Sequence, residues 1–513
     1  MKSTKEGTAL CASLGYRQAL KELCDQNNLC HEKQRMLVIA SNRGPVEFKR
    51  KGNATFLERG QGGLVTALSS LVEVIDTNWV AAPLSPEDAE MAARSGGEIS
   101  LPSGERRLNI SFIRPEEEDY RAYYDRISNS LLWFLQHGIH DVVMSPNFDP
   151  ATWEDWESYR RVNRLFAQAI AARCDFSSDR EPVIMVHDYH LYLVPGMLRE
   201  MLPRALIHHF THISWPGPDL WRQLPSLIRE ELLESLLACD VVGFHTPRYV
   251  DNFLLACREF LGAEEEEGFI RHRGGNTRVR AYPISIDPEG LERFSLSSEV
   301  IHYEESLFLG KDSLNILQVA RTDPSKNILR SLKSLELLLR QHPKYRGRLV
   351  FWGMMPASRQ GSEVYRRYLE AIRSQAEEIN RTFERNDWRP IELFFENSYA
   401  RAIAAMKHYD VLLVNSLADG MNLVAKEGPI VNTRKGVLLL SEGTGAWDEL
   451  GPPSSIAVNP FDIVGTAAAI DRALSLSPLT RSFMSRLLRV RIEGYPIFRW
   501  AYEQLRDLLE TQE

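Results

Sequence analysis

The chain has 513 residues, 44% hydrophobic and 25% charged, a composition typical of a globular protein with room for two or three domains. Its net charge of −8 disfavours a nucleic-acid surface, so a phosphorylated substrate would need locally clustered arginine and lysine. No apolar run is long enough to span a membrane, and the polar N-terminus lacks the apolar core of a signal peptide. Six scattered cysteines without CxxC spacing predict a reducing, cytoplasmic location and no zinc site.

The first half of the chain alternates between short apolar runs and helical patterns. Residues 1–34 are predicted to be an appended helical extension. The alternation that follows predicts parallel βαβ units. The predicted strands are Met36–Ala40, Asp141–Met144, Val183–Val186, Leu206–Ile207 and Val241–Phe244, with helices at Trp156–Ala172 and Leu227–Ala238 and a hairpin at Phe269–Ala281.

A second series of strands begins after residue 285. These strands are predicted at Leu314–Val319, Arg348–Trp352, Ile391–Phe395, Val411–Val414, Val437–Leu440 and Ile456–Val458. We therefore predict an α/β fold with two Rossmann-like, doubly wound domains, 35–285 and 286–480, that face a central cleft. Residues 481–513 are predicted to form a C-terminal helix that crosses back to the first domain. In such domains ligands bind at the carboxyl ends of the strands.

The segment Asp419 to Leu423 follows the apolar strand Val411–Val414 and leads into a helix. The Asp419 carboxylate is placed to accept hydrogen bonds from sugar hydroxyls, and the amides at the helix start are placed to hold a diphosphate. Glu427 lies one to two turns into that helix, within reach of a ribose. The alternative is an ordinary strand–turn–helix connection with a capping aspartate.

Two cations follow the strand Leu314–Val319. Arg321 and Lys326 lie five residues apart on one loop, so both side chains can face a diphosphate leaving group. Their attraction to that group would grow as negative charge develops on it, which lowers a reaction barrier. The alternative is a solvated basic turn.

Further polar motifs lie at predicted strand ends in the first domain. Arg43, after the first strand, offers a bidentate phosphate contact, and the glycine-rich loop Gly60–Leu64 permits close backbone approach; a purely structural loop is the alternative. Asp188 is well placed as a hydroxyl acceptor. The flanking His187 and His190 lack the third ligand and the HExxH pattern of a metal site.

Three more side chains are candidates for a sugar site in this domain. His212 also ends a strand-like run, where a lone histidine is usually structural. Tyr124 and Trp133 could form an aromatic wall for a sugar ring, although aromatic residues in a helical segment more often belong to the core.

Taken together, these motifs resemble one known family. The order SNR, GGL, YYxxxSNxxLW, VHDYHL, HIxxP, RxDxxK and DGMNLVAKE is similar to that of trehalose-6-phosphate synthases, a family of retaining GT-B glycosyltransferases. The likeness runs from about residue 36 to residue 470. It implies transfer of glucose from a nucleotide diphosphate to glucose 6-phosphate, with no essential metal, no cofactor and no enzyme nucleophile.

The resemblance also implies roles for individual residues. For the donor, Arg321 and Lys326 would bind the diphosphate, and Gly63 would lie against the donor. Asp419 and the amides near Met421, Asn422 and Leu423 would hold the transferred sugar, and Glu427 would hold the ribose. His212 and Asp188 would contact the sugars at the reaction centre. The acceptor pocket would contain Arg43, Tyr124, Trp133, Asp188 and Arg359. The implied partners are small molecules only, neither nucleic acid nor membrane, and a homo-oligomer is possible.

Some segments depart from the family pattern and leave the acceptor open. Ala418 stands where the family commonly has arginine, and Gly428–Asn432 is not the usual continuation. Thr322–Asn327 resembles validoxylamine 7′-phosphate synthase, which couples cyclitols, and Ser235–Asp240 resembles glucosylglycerol-phosphate synthase. A non-catalytic sugar-phosphate sensor is a further alternative, against which the retained charged residues argue. We expect no phosphatase domain after residue 513.

Overall fold

The structure is a computed structural model that describes residues 6–27, 29, 36–51, 54–59, 68, 71–72, 74–94, 97–103, 106–174, 181–266, 268–307, 313–385 and 387–512. The chain divides into two compact units. One consists mainly of Ser285–Pro496, and the other of Ser13–Ile284 with Ile497–Glu513.

The unit Ser13–Ile284 is built on a large mixed sheet. Its strands, in chain order, are β1 Leu37–Ala40, β2 Val46–Lys51, β3 Ala54–Arg59, β4 Thr77–Ala81, β5 Glu98–Ser103, β6 Arg106–Phe112, β7 Val183–His187, β8 Leu206–Phe210, β9 Val241–Phe244, β10 Glu264–Glu266, β11 Phe269–His272 and β12 Gly275–Ala281. Among the described residues, ten of these strands form one sheet, in the order β10-β11-β12-β9-β8-β7-β1-β4-β6-β5. Its middle is parallel, and β2 with β3 forms a separate antiparallel hairpin.

Helices precede or connect these strands. They are α1 Glu6–Gln26, α2 Pro86–Arg94, α3 Glu117–Arg121, α4 Trp133–His137, α5 Pro150–Ala171, α6 Val194–Met201, α7 Pro218–Trp221, α8 Ser226–Leu236 and α9 Pro247–Leu261. A π-helix, Ala122–Leu132, joins α3 to α4. The central strands β1 and β7 are buried along their whole length, which explains why they appear in the sequence as continuous apolar runs.

The unit Ser285–Pro496 contains a parallel sheet. Its strands are β13 Leu314–Val319, β14 Leu349–Met354, β15 Ile391–Phe394, β16 Val411–Val414, β17 Val437–Ser441 and β18 Ile456–Val458. Within the described part of the chain the order is β15-β14-β13-β16-β17-β18. The chain adds β14 and then β15 on one side of β13, and it then returns to place β16 on the other side of β13. The ends of β13 and β16 therefore form the topological switch point, where doubly wound sheets bind ligands.

Helices alternate with these strands. They are α10 Pro288–Ser295, α11 Ser298–Ser306, α12 Ile328–Gln341, α13 Glu363–Phe383, α14 Tyr399–Met406, α15 Val424–Val431, α16 Ala446–Leu450, α17 Ile463–Leu474 and α18 Pro478–Glu493. α12 presents one apolar face to the core, where Leu332, Leu335 and Leu339 are fully or almost fully buried. The remaining helix, α19 Ile497–Leu509, belongs to the other unit.

The predicted α/β fold of the GT-B type is confirmed, but one predicted strand is wrong. Asp141–Met144 forms a turn, in which the Asp141 carbonyl accepts hydrogen bonds from the amides of Met144 (2.9 Å) and Ser145 (2.7 Å). Val143 is 86% exposed. An apolar run of three residues does not distinguish a buried strand from an exposed turn, and the proline that follows cannot donate to a sheet.

The single C-terminal helix predicted for residues 481–513 is also wrong. Two helices, α18 and α19, are separated at Gly494–Pro496, because proline lacks the amide needed to continue a helix. α19 packs in the unit of Ser13–Ile284, where the Tyr282 hydroxyl donates to Asp507 Oδ2 at 2.9 Å. Among the helices that the structure describes, none combines the length and apolar character needed to cross a bilayer.

Candidate active site

The loops after β13 and β16 are joined at the switch point. In the loop after β13, Asp323 is fully buried and its Oδ1 accepts hydrogen bonds from the Ser325 amide (3.0 Å) and hydroxyl (2.8 Å). These bonds close a short 3₁₀ turn, Pro324–Lys326. The amide of Leu417, in the loop after β16, donates to the Ser325 carbonyl at 2.8 Å. The two strand-end loops therefore hold each other in place.

Lys326 and Asp419 form an ion pair across these loops. Lys326 Nζ lies 2.5 Å from Asp419 Oδ2, and both side chains are 14% exposed. The same oxygen accepts hydrogen bonds from Ser416 Oγ (3.2 Å) and Asn422 Nδ2 (3.0 Å). The structure thus brings together two residues that lie 93 positions apart and that the sequence analysis assigned to one site.

The backbone of Asp419 is fixed by the loop that follows β17. The Asp419 amide donates to the Gly443 carbonyl at 3.0 Å, and the Gly445 amide donates to the Asp419 carbonyl at 3.1 Å. A Cβ at Gly443 would lie 2.1 Å from the Leu417 carbonyl oxygen. Only glycine permits this approach, so Gly443 is part of the site's framework.

The turn between Asp419 and α15 gives the helix a defined start. Asn422 has a left-handed backbone (φ 81°), which asparagine tolerates better than most residues, and its Oδ1 accepts a hydrogen bond from the Ala425 amide at 3.2 Å. Met421 is 3% exposed, and its carbonyl accepts from the Ala446 amide at 2.9 Å. Leu423 is the residue before the first helical position, Val424. The amides of Lys426 and Glu427 both donate to the Leu423 carbonyl at 2.8 Å, which closes the first turn of the helix.

Glu427 lies in the first turn of α15 and is perturbed by its surroundings. Burial raises the pKa of its carboxyl to about 7, and a hydrogen bond donated by the Tyr399 hydroxyl at 3.0 Å lowers it in part. The carboxyl is therefore ready to exchange its proton near neutral pH. Its position one turn after Asn422 keeps it at the same end of the sheet as Asp419.

Arg321 and Arg359 belong to the same unit but differ in environment. Arg321 is exposed at the end of β13. Arg359 has a side chain only 9% exposed, and its Nη1 lies 3.2 Å from Oδ2 of the buried Asp323. The Tyr365 hydroxyl also donates to Asp323 Oδ2, at 3.1 Å, and contacts the Arg359 guanidinium. Asp323 thus anchors both the Lys326 turn and Arg359.

In the other unit, Asp188 and His212 lie together at the ends of β7 and β8. Asp188 has an unusual backbone for a non-glycine residue (φ 77°), a conformation that commonly marks functional positions. Its amide donates to the Phe210 carbonyl at 2.8 Å, and its Oδ1 accepts from the His212 amide at 3.1 Å. The two residues predicted to contact the sugars are therefore direct neighbours.

The His212 ring contacts a second histidine. His187 Nδ1 lies 3.2 Å from His212 Nε2. Burial lowers the pKa of both imidazoles well below the ordinary value, and nearby histidines add to the effect. His212 is therefore neutral at physiological pH, so it can form a hydrogen bond with a ligand but does not supply a positive charge.

The remaining predicted residues of this unit lie on or near the π-helix and β1. Arg43 Nη1 is paired with Glu47 Oε1 at 2.6 Å, and its side chain is 42% exposed. The ring of Tyr124 stacks on His190, with centroids 5.7 Å apart. Trp133 is 5% exposed and stacks on His137 at 4.0 Å, so most of its surface lies in the hydrophobic core. Trp133 is therefore mainly a residue of the hydrophobic core, whereas Tyr124 is only partly buried against that core.

The structure adds residues that the sequence analysis did not select. Asp323 is the aspartate of the RxDxxK motif, but its burial and its contact with Arg359 are visible only in the folded chain. Tyr399 and Gly443 carried no local signal, because they contact Glu427 and the Asp419 backbone from 28 and 24 positions away. Gly63 and the glycine-rich loop lie outside the described residues. Within the described residues there is no group of three or more metal-ligating side chains.

Two α/β units, one with cations and carboxylates at a topological switch point, are typical of enzymes that act on nucleotide-containing substrates. The comparison with known proteins is more specific. The family model of glycosyltransferase family 20 matches residues 35–510. The chain belongs to this family.

Relatives of known name agree with this assignment. The chain is 32% identical to an Aspergillus niger alpha,alpha-trehalose-phosphate synthase [UDP-forming] over 94% of this chain and 98% of that protein. It is also 32% identical to a Thermoproteus tenax bifunctional trehalose-6-phosphate synthase/phosphatase over 93% of this chain, and it spans 64% of that protein's length.

Solved structures resemble the fold closely. A Burkholderia xenovorans alpha,alpha-trehalose-phosphate synthase in complex with glucose 6-phosphate has a TM-score of 0.79 and 26% identity, covering 93% of this chain and all of that one. An E. coli trehalose-6-phosphate structure bound with UDP-2-fluoro glucose has the same score and 26% identity, covering 92% and 98%. A trehalose-6-phosphate synthase studied for glycosyl transfer with retention has a TM-score of 0.78 and 26% identity, covering 92% and 99%.

The raised pKa of Glu427 predicts a pH-dependent effect of Glu427→Gln. The unfolded chain loses this proton near pH 4.5 and the folded chain near pH 7, so ionisation destabilises the fold as pH rises through this window. Relative to the parent, the variant should become more stable between pH 5 and pH 8, by on the order of 2 kcal/mol, since each pKa unit corresponds to about 1.4 kcal/mol. Urea unfolding at both pH values measures this change. The same substitution at the exposed Glu442 is the control, and a Glu427→Gln effect that is equal at both pH values would contradict the account.

Proposed function

We propose that this protein is a retaining glucosyltransferase that moves glucose from a nucleotide diphosphate glucose to glucose 6-phosphate and so forms trehalose 6-phosphate. The observation that carries the proposal is the Lys326–Asp419 pair at the switch point, which combines a cation for a diphosphate with a carboxylate for sugar hydroxyls. Support comes from the ligands of similar structures, which contain UDP-2-fluoro glucose in one case and glucose 6-phosphate in another.

On the donor side, the proposal gives Lys326 and Arg321 the role of stabilising the leaving group. As the bond between the sugar C1 and the phosphate oxygen breaks, negative charge develops on the nucleoside diphosphate. Lys326, fixed in a partly buried position, stabilises that charge more than the same cation in water. Asp419 and the amides from Met421 to Leu423 would hold the transferred glucose, and Glu427 would accept hydrogen bonds from the ribose.

On the acceptor side, the acceptor hydroxyl attacks C1 from the face that the diphosphate leaves. A new C1–O bond forms, and the hydroxyl proton passes to the departing phosphate oxygen, so no enzyme nucleophile is needed. Asp188 and the neutral His212 would position sugar hydroxyls. Arg43 and Arg359 would bind the acceptor's phosphate, and Tyr124 and Trp133 would contact its ring. A cytoplasmic location and a homo-oligomeric state stay predictions.

We predict that Lys326→Ala and Arg321→Ala each lower turnover by about 10²-fold or more, because each removes a cation that acts on the developing charge. Steady-state kinetics measure the loss. Lys326→Arg should retain more activity than Lys326→Ala, and Lys333→Ala, an exposed lysine on α12, is the matched control. Turnover within a few-fold of the parent for either alanine variant would remove that residue from the mechanism.

We predict that glucose 6-phosphate is glucosylated faster than glycerol 3-phosphate, by about tenfold. The smaller acceptor satisfies the phosphate contacts but leaves the surface of Tyr124 uncovered, which forfeits roughly 1–2 kcal/mol of apolar burial. Product analysis in a mixed-acceptor assay with several nucleotide donors tests both this preference and the proposed function.

Tyr124→Leu should reduce the preference for glucose 6-phosphate. Phe461→Leu, a change at an exposed aromatic residue of the other unit, should leave it unchanged. A dominant glucosylglycerol phosphate product would identify the protein as a glucosylglycerol-phosphate synthase. Inertness toward both acceptors would instead support cyclitol coupling or a non-catalytic sensor.

We predict that transfer survives exhaustive chelation. Arg321 and Lys326 would supply the positive charge that a metal ion otherwise brings to a diphosphate. Initial rates before and after EDTA treatment, with and without added magnesium or manganese, provide the test. Loss of activity with EDTA and recovery with either ion would overturn this account of leaving-group stabilisation.

A further inference from the structure

A group of histidines surrounds His212 at the ends of β7, β8 and β9. His187, His208 and His209 are fully buried, and His245 is 2% exposed. His245 Nε2 lies 3.1 Å from the His212 carbonyl, and Asp188 accepts from the His212 amide. The backbone of His212 is therefore held from both sides, and only its ring orientation and its proton remain to be fixed.

One contact concerns the His212 ring itself. His187 Nδ1 lies 3.2 Å from His212 Nε2, with ring centroids 5.4 Å apart. Both imidazoles are neutral, because burial disfavours their charged forms and Asp188 contacts the backbone of His212, not its ring. A neutral imidazole carries one N–H and one bare nitrogen. The contact is therefore a hydrogen bond with a single proton, donated by one of the two rings.

The other nitrogen of His187 decides between the two directions. His187 Nε2 is buried and has no hydrogen-bond partner within the described part of the chain. If the proton were there, His187 would bury an unpaired N–H and could only accept at Nδ1. If the proton is on Nδ1, the unpartnered Nε2 is an acceptor without a proton, and the Nδ1–H group donates to His212. Buried N–H groups without partners are rarer than buried acceptors without partners, which favours the second arrangement.

We propose that His187 is a positioning residue, which donates from Nδ1 to His212 Nε2 and so fixes His212 in the Nδ1–H tautomer. The ring of His212 is partly exposed, and its Nδ1 has no hydrogen bond to any described residue. His212 would then present a hydrogen-bond donor to its ligand, beside the acceptor carboxylate of Asp188. The identity of the ligand atom rests on the proposed function: it is a sugar hydroxyl oxygen, which accepts the hydrogen bond from His212.

The tautomer can be measured without any reaction. The ring nitrogens of ligand-free protein, labelled with ¹⁵N at histidine, have distinct chemical shifts when protonated and when bare, and signals missing in His212→Gln identify His212. We expect His212 to be protonated on Nδ1 and bare on Nε2. Protonation on Nε2 would reverse the hydrogen bond and overturn the proposal. Because no substrate is present, this result is independent of the proposed function.

Variants test whether His187 sets the tautomer. His187→Asn retains an N–H donor close to the position of Nδ1, whereas His187→Phe fills the space without a donor. His187→Phe should mix the tautomers of His212 and lower kcat at least tenfold with a smaller effect on KM, and His187→Asn should restore most of both. An unchanged tautomer in a folded His187→Phe protein would contradict the proposal.

The neighbouring His208 provides a matched control. It is as buried as His187, but neither of its ring nitrogens has a hydrogen-bond partner in the described structure. His208→Phe should leave the His212 tautomer unchanged. If it shifts the tautomer as much as His187→Phe, general packing sets the proton and the specific role of His187 is excluded. If the tautomers behave as expected but no glucosyl transfer occurs, the proposed function fails and the role of His187 stands.

Discussion

The position of β13 beside β16 is the constraint on which the site around Lys326 and Asp419 depends. These strands are separated by more than 90 residues, yet Ile316 pairs with Val411 and Leu317 with Leu412 in a parallel register. Because parallel strands end at the same edge, the pairing forces the loops carrying Lys326 and Asp419 to meet. The hydrogen bond from the Leu417 amide to the Ser325 carbonyl then fixes their separation. The ion pair results from the topology.

Buried polar groups around that edge keep the loops rigid. Asp323 is fully buried, and its two oxygens are shared between the turn that carries Lys326 and the guanidinium of Arg359. Removing either charge would leave the other charge buried and unpaired, which would lower the stability of the fold. A pair of this kind adds little net stability but specifies one arrangement. The same reasoning applies to Lys426, whose Nζ lies 2.5 Å from Glu449 Oε2 and links α15 to α16.

Most strands that are buried on both faces were predicted from the sequence, although β4, which is almost completely buried, was missed. β7, β13 and β16 were visible because a buried parallel strand is a continuous apolar run. Edge and half-exposed strands such as β5 and β6 were missed, and Asp141–Met144 was wrongly included, because a short apolar run contains no information about its neighbours. Candidate residues at strand ends were found because the buried strands that precede them were recognised. Their partners, such as Tyr399 and Gly443, were not, because those contacts are made between distant parts of the chain.

The side chains of the two candidate sites differ in charge, and this difference follows from the chemistry proposed for each site. Diphosphate release creates negative charge, and the residues proposed to bind the diphosphate, Arg321 and Lys326, have cationic side chains. The sugar hydroxyls that do not react stay neutral, and His212, which is proposed to contact such hydroxyls, has a ring whose charged form is disfavoured by burial and by neighbouring histidines. A charged imidazole there would bind any anion more strongly than a neutral hydroxyl, which would reduce the selectivity of the position for hydroxyls. Neutrality, combined with the proposed fixed direction of its N–H group, would allow His212 to orient a sugar hydroxyl.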